Sequence, residues 1–242
     1  MKTAYDPAAK FELKVSEVEF RRAVSGRMLM ARVYQPEGAG PFPTLLDLHG
    51  GAWNRKDRFA EEPMDRALAA SGVLGSSSGG HVAELLGMRP RDARYNAIPL
   101  SAGSSADATV AYVATRSPIS DTHARYQQAE KMKRDGMIKN NQTYFRPWET
   151  IFEGNPQQIL DRREAVTLPP LLIMQGALDD NVLPAVQEKF AASYRAAGGD
   201  CELHVFEGCE HEWVAKPGPQ TDRAHEMVRG FIARNLTSAA RR

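Results

Sequence analysis

The chain has 242 residues, 42% hydrophobic and 25% charged, with 19 Gly, 15 Pro and 2 Cys. A domain of that length buries about three quarters of its unfolded surface, which excludes a mini-scaffold stapled by disulfides or metal. Lys plus Arg is 31 against Asp plus Glu at 30, so no whole-protein field draws in nucleic acid or anionic membrane, and this argues against a nucleic-acid binder. The opening MKTAYDPAAKFELK lacks the apolar centre of a signal peptide, and no run of about 18 apolar residues occurs. The expectation is a cytoplasmic protein with no membrane partner.

In chain order, residues 12–20 and 27–34 alternate apolar and polar side chains around Ser25 and Gly26, the pattern of an antiparallel hairpin. From Thr44 the pattern becomes a continuous apolar run, TLLDLHGG, and similar runs recur at 72–75, 171–176 and 203–206. Such runs read as buried parallel strands. Helix-compatible segments lie between and after them, at about 60–70, 79–87, 184–197 and 221–236. In the last, Ala224, Met227, Val228, Phe231, Ile232 and Leu236 share one face. Strands alternating with helices imply a doubly wound, mostly parallel sheet. Residues 117–156 are polar and dotted with aromatics, without a strand-like run, and read as a helical insertion within one domain spanning 1–242. Cys201 and Cys209 show no metal or CxxC spacing and read as reduced structural thiols.

Gly75-Ser76-Ser77-Ser78-Gly79 matches G-x-S-x-G between a short apolar strand and a helix. A sharp strand-to-helix turn strains the central serine and leaves no room for side chains two residues to either side. A Ser/Gly-rich turn that merely caps a helix would use the same residues. His49-Gly50-Gly51-Ala52-Trp53 follows the strand LLDL, where paired glycines let backbone N–H groups point at a bound oxygen; a plain βα turn is the alternative. His204 sits inside a strand-like run and His123 and His225 in polar or helical surroundings, whereas His211 lies in a loop just after an apolar strand, where α/β enzymes place function. Asp179 and Asp180 occupy the loop after another buried strand. A carboxylate there can instead cap the helix that starts at Pro184, and Asp180 fits that reading.

His-Gly-Gly, G-x-S-x-G, G-x-x-Asp and Gly-x-x-His, in that order, resemble the α/β-hydrolase superfamily in its serine esterase and lipase branch, with an HGG-type oxyanion loop. The resemblance implies a nucleophile, acid and base at Ser77, Asp179 and His211. It implies oxyanion donors on the backbone of Gly51, Ala52 and Ser78, and no metal or organic cofactor. It also implies a small-molecule ester substrate, a cap over residues 117–156, and pocket aromatics among Trp53, Trp213 and Trp148, with core packing as the alternative for Trp53 and Trp213. An amidase acting on formyl-amides would use the same groups.

One interval departs from that family. From His49 to Ser77 there are 77 − 49 = 28 residues, whereas two successive βαβ units need about 50–60. One strand and one helix are expected to be missing before the serine. The hairpin then pairs with the strand at 44–48, or that strand's edge stands open. A right-handed link across the gap puts the lone helix on the face opposite the family's first helix. A binding protein that has lost activity is the competing outcome.

Overall fold

The computed structural model describes residues 10–38, 42, 44–68, 72–95 and 109–239. Two strands, β1 (Leu13–Arg22) and β2 (Met28–Pro36), form the antiparallel hairpin, with a register shift between Glu19 and Arg21. Five parallel strands form a separate sheet in the order β3 (Leu45–Leu48), β4 (Gly72–Ser76), β5 (Val113–Arg116), β6 (Leu171–Gly176) and β7 (Cys201–Phe206). The helices are α1 (Glu62–Leu68), α2 (Ser78–Met88), α3 (Thr122–Lys131), α4 (Asp135–Tyr144), α5 (Thr150–Glu153), α6 (Pro156–Asp161), α7 (Pro184–Ala196) and α8 (Pro219–Ala239).

The period-two pattern of buried strands sorts the core into two layers. Ala114, Leu172, Met174 and Phe206 face α1 and α8, and join Met64, Leu68, Val228, Phe231 and Ile232. Val113, Leu171 and Ile173 face the other way and pack with Ala83 and Leu85 of α2, Ile159 of α6 and Phe190 of α7. Each fully buried Leu, Ile, Val or Phe contributes about 1.5–3 kcal/mol. Helices on both faces confirm the doubly wound arrangement, and the apolar stripe of α8 falls on the face read from its spacing.

Two expectations are corrected, and one left open is decided. The run at 109–116 was not expected to form a strand, yet β5 is the central one. Its polar residues Thr115 and Arg116 are fully buried: Thr115 Oγ1 donates to the Leu172 carbonyl at 3.2 Å, and Arg116 pairs with Asp47 at 3.2 Å and Glu61 at 3.1 Å. Of the two alternatives for the hairpin, the open edge is the one found: among the described residues β3 pairs with β4 alone and the hairpin does not pair with it. It is held to the body by side chains instead: Arg58 Nε donates to Glu17 at 3.1 Å, Arg32 pairs with Glu62 at 3.4 Å, and Arg32 lies 4.7 Å over the Phe59 ring. Finally, α2 and α7 cross between neighbouring strands on one face while α1 crosses on the other, with the sheet order advancing throughout. The β3–α1–β4 crossover therefore has the opposite hand to the other two. Its reason lies in α1 itself, whose Met64 and Leu68 bury against the α8 layer while Glu61, just before it, meets Arg116. The end of the 60–70 segment and the junction at Ser71 lie outside the described residues.

Residues 117–156 hold α3, α4, α5 and the first residue of α6, with no strand among them. Tyr126, Phe145 and Ile151 form their own small apolar cluster, with Trp53, Ile138, Trp148 and Phe152 packed against it.

Candidate active site

Ser77 stands at the turn from β4 into α2 with φ 52° and ψ −114°. That backbone costs about 1–3 kcal/mol and is kept because the surroundings fix it: Ser77 N–H donates to the Arg116 carbonyl at 2.9 Å, and its own carbonyl accepts from Ile119 at 3.1 Å and His81 at 3.1 Å. The flanking glycines have a direct steric cause. A Cβ at Gly79 would stand 1.7 Å from the Leu48 carbonyl oxygen, and one at Gly75 would stand 2.5 Å from the Gly79 oxygen.

The structure brings Ser77, His211 and Asp179 into one chain of hydrogen bonds. His211 Nε2 lies 2.9 Å from Ser77 Oγ and His211 Nδ1 lies 2.8 Å from Asp179 Oδ2. The three residues follow β4, β7 and β6. A carboxylate accepts only, so Nδ1–H donates to Asp179 and leaves Nε2 to accept the serine proton. Asp179 is buried, which opposes its ionisation. The hydrogen bond and charge of His211 and the Val182 N–H outweigh that and hold its carboxyl below the usual range. Its Oδ1 also accepts from Asn181 N–H at 2.9 Å and Val182 N–H at 2.8 Å, while Gln175 Nε2 donates to Oδ2 at 2.9 Å. An alcohol whose proton can pass to an imidazole steadied by a buried carboxylate is equipped for nucleophilic attack.

The loop after β3 carries three successive positive φ values, at Gly51 (107°), Ala52 (50°) and Trp53 (65°). The backbone N–H groups of Gly51 and Ala52 have no acceptor among the described residues. Ser78 opens α2, where the first N–H groups of a helix lack intrahelical partners. The loop is tied to α2: Trp53 N–H donates to Ser78 Oγ at 3.1 Å, and Trp53 Nε1 donates to His81 Nδ1 at 3.3 Å. His81 Nε2 in turn donates to the Gly154 carbonyl at 2.6 Å. Complete burial pushes the His81 pKa down to about 4, so its ring is neutral at physiological pH and fits both roles.

Of the three tryptophans, Trp53 is the one beside these groups. It stacks on Tyr144 at 4.6 Å, meets Phe145 edge-on at 5.2 Å, and lies under the Arg125 guanidinium at 5.9 Å. Trp213 takes the core-packing alternative: it is buried in the α8 layer against Phe206, with ring centroids 4.3 Å apart. Trp148 is placed elsewhere, lining with Tyr126 and His123 a cavity of about 560 Å³ among the inserted helices. Asp180 does not cap α7, whose N-cap is Leu183 without a side-chain bond; its exposed carboxylate pairs with Arg134. Cys201 and Cys209 are free and buried.

Sequence reasoning passed over His81 and Arg125. His81 directly follows Gly79-Gly80, a position that had a readable signal. Arg125 has none: it reaches the acid loop only through the docking of α3, where Nε and Nη2 donate to Asn181 Oδ1 at 3.0 and 2.8 Å. Among the described residues no group of three or more His, Cys, Asp or Glu could hold a metal ion, and no helix is long and apolar enough to cross a membrane.

The model of the prolyl oligopeptidase family matches residues 67–239. No curated protein sequence matches the chain. Among solved structures, esterase B of Lactobacillus rhamnosis is similar with a TM-score of 0.72 and 15% identity, covering 95% of this chain and 88% of that one. Carboxyl esterase 2 of the fungus Tuber melanosporum follows at 0.70 and 13%, covering 95% and 89%. EstE1, a thermostable carboxylesterase cloned from a metagenomic library, gives 0.67 and 17%, covering 95% and 92%. These likenesses establish the α/β-hydrolase fold.

Proposed function

The chain belongs to the prolyl oligopeptidase family, and from that membership and the geometry at Ser77 we propose that it is a serine hydrolase cleaving carboxylic esters of small or medium acyl chains. The observation that carries the reading is the unbroken path from Ser77 Oγ through His211 to Asp179, at 2.9 and 2.8 Å. In this reading Ser77 Oγ attacks the acyl carbonyl and gives its proton to His211 Nε2. The carbonyl oxygen becomes an oxyanion held by the N–H groups of Gly51, Ala52 and Ser78, each worth about 3 kcal/mol in comparable sites. His211 then returns its proton to the leaving alcohol, an acyl-Ser77 ester remains, and water activated by the same ring releases the acid. Asp179 holds the tautomer and stabilises the imidazolium. The sequence uses no metal or organic cofactor. The helices over 117–156 act as a cap, supported by the stacking of Tyr144 on Trp53.

Ester is preferred to amide because the similar structures are described as esterases. Amide cleavage is the second reading, favoured by the family's own description, since the same groups protonate an amine. Turnover of p-nitrophenyl acetate, compared with a formanilide, ranks the two. Ser77→Ala is expected to lower ester turnover by about 10⁴-fold or more. Equal rates in the two proteins overturn the reading, and a large formanilide preference replaces ester with amide.

A further inference from the structure

Ser120 has a single hydroxyl hydrogen and two side-chain oxygens beside it. Its Oγ lies 3.0 Å from Glu84 Oε1 and 2.9 Å from Gln187 Oε1, and all three residues are buried. The Gln187 amide is oriented by its other end, where Nε2 donates to the Pro118 carbonyl at 2.5 Å. Its Oε1 can therefore only accept, and the Ser120 hydrogen goes to it. The contact between Ser120 Oγ and Glu84 Oε1 then closes only with a hydrogen carried by Glu84. Glu84 Oε2 agrees, being buried without a hydrogen-bond partner, which the carbonyl oxygen of a neutral acid bears at far lower cost than one end of a carboxylate. Burial pushes this carboxyl well above its usual range, opposed only by the Ser120 contact.

Among the described residues no Lys or Arg pairs with Glu84. Tyr194 of α7 and Cys201 of β7 face it, both kept neutral by burial, and His81, one turn earlier on α2, is neutral as well. Lys189 and Arg195 of α7 are turned to Asp161 of α6 and the Cys201 carbonyl, Arg116 of β5 to Asp47 and Glu61, and Asp121 caps α3. The contacts of Glu84 lead to the segment that clamps the strained serine. There the Arg116 carbonyl accepts from Ser77 N–H at 2.9 Å, and Ile119 N–H donates to the Ser77 carbonyl at 3.1 Å. Pro118, between them, lies against α2, where a Cβ at Gly80 would stand 2.7 Å from the proline Cβ.

We propose that Glu84 is a neutral acid at the head of a one-way chain of donors, Glu84 to Ser120 to Gln187 to the Pro118 carbonyl, and through it a positioning residue for Ser77. The chain sets where residues 117–120 stand, and that segment holds the backbone of Ser77. An ionised Glu84 would draw the Ser120 hydrogen to itself and leave Ser120 Oγ and Gln187 Oε1 facing each other at 2.9 Å with no hydrogen between them. The role at Ser77 rests on the hydrolase reading; the proton on Glu84 does not.

Infrared spectra of the full chain, with its glutamates carbon-13-labelled at the side-chain carboxyl, locate the proton. At about pH 8, where an ordinary glutamate is ionised, a labelled carboxylic-acid C=O band is expected in the parent and absent in Glu84→Gln. A parent without that band, or a Gln variant that keeps it, overturns the proposal. Turnover of p-nitrophenyl acetate tests the positioning. Glu84→Gln retains a donor at this place and is expected to keep kcat within about threefold of the parent, whereas Glu84→Leu and Ser120→Ala are expected to lower it about tenfold or more with KM little changed. A Ser120→Ala protein with the parent's kcat, or a Gln variant that loses about tenfold, overturns the positioning role whether or not Glu84→Leu folds. A parent that turns over neither ester nor formanilide overturns the hydrolase reading and this role with it, while the band still decides the proton.

Discussion

His81 is the residue whose chemistry is most constrained by its place. Its depressed pKa of about 4 means the unfolded chain takes up a proton near 6.5 that the folded chain refuses until about 4. Between those values the unfolded state binds more protons, so stability is fully present above about pH 6.5 and is lost as pH falls toward 4, by about 3 kcal/mol. His81→Gln keeps one donor and one acceptor without titrating. Its urea-unfolding free energy is expected to be flatter over that window, and a slope equal to that of the parent chain would refute the assignment. Gly79 makes a complementary case. Gly79→Ala would force β3 and α2 apart at the Leu48 carbonyl, with an expected loss of about 3 kcal/mol or more in the same measurement.

At the scale of elements, the contact between α1 and the sheet has a pH dependence of opposite sign. Burial first, then the neighbouring Asp47, pushes the Asp65 pKa up to about 8. Between its ordinary 3.8 and that value the folded chain holds a proton the unfolded chain has released, so this group's contribution declines as pH rises. Asp65→Asn, which mimics the protonated form, is expected to raise the melting temperature at pH 8 and to leave it nearly unchanged at pH 4. The reverse order would refute the burial of α1 on Arg116. The same cluster shows where reading the sequence failed. Strands β3, β6 and β7 were legible because their apolar residues run on. β5 was not, because Thr115 and Arg116 break the run and are satisfied only by Leu172, Asp47 and Glu61, which come from elsewhere in the chain. Ser77, Asp179 and His211 were legible because each sits in a short local motif at a strand end. Core and pocket stayed undecided for Trp213, and Trp148 was put at the wrong place, because no local pattern says which neighbour an aromatic ring will meet after helices dock.

Over the molecule as described, from residue 10 to residue 239, the hairpin and the body are two sheets joined by ion pairs and cation–π contacts, with no ladder between them among the described residues. Raising salt from about 0.1 M to about 1 M shortens the screening length from about 10 Å to about 3 Å. Amide exchange over 13–36 is then expected to quicken several-fold while 113–116 and 171–176 hold, and uniform behaviour of both regions would contradict this division. The crossover of opposite hand at α1 belongs to the same border. Ser77, Asp179 and His211 follow β4, β6 and β7, and the 50–53 loop follows β3, so the groups brought together at Ser77 rise from strands lying on one side of that border. Gain or loss of chain beyond β3 can therefore drift through evolution without moving those groups, and selection would register it first as a change in solubility.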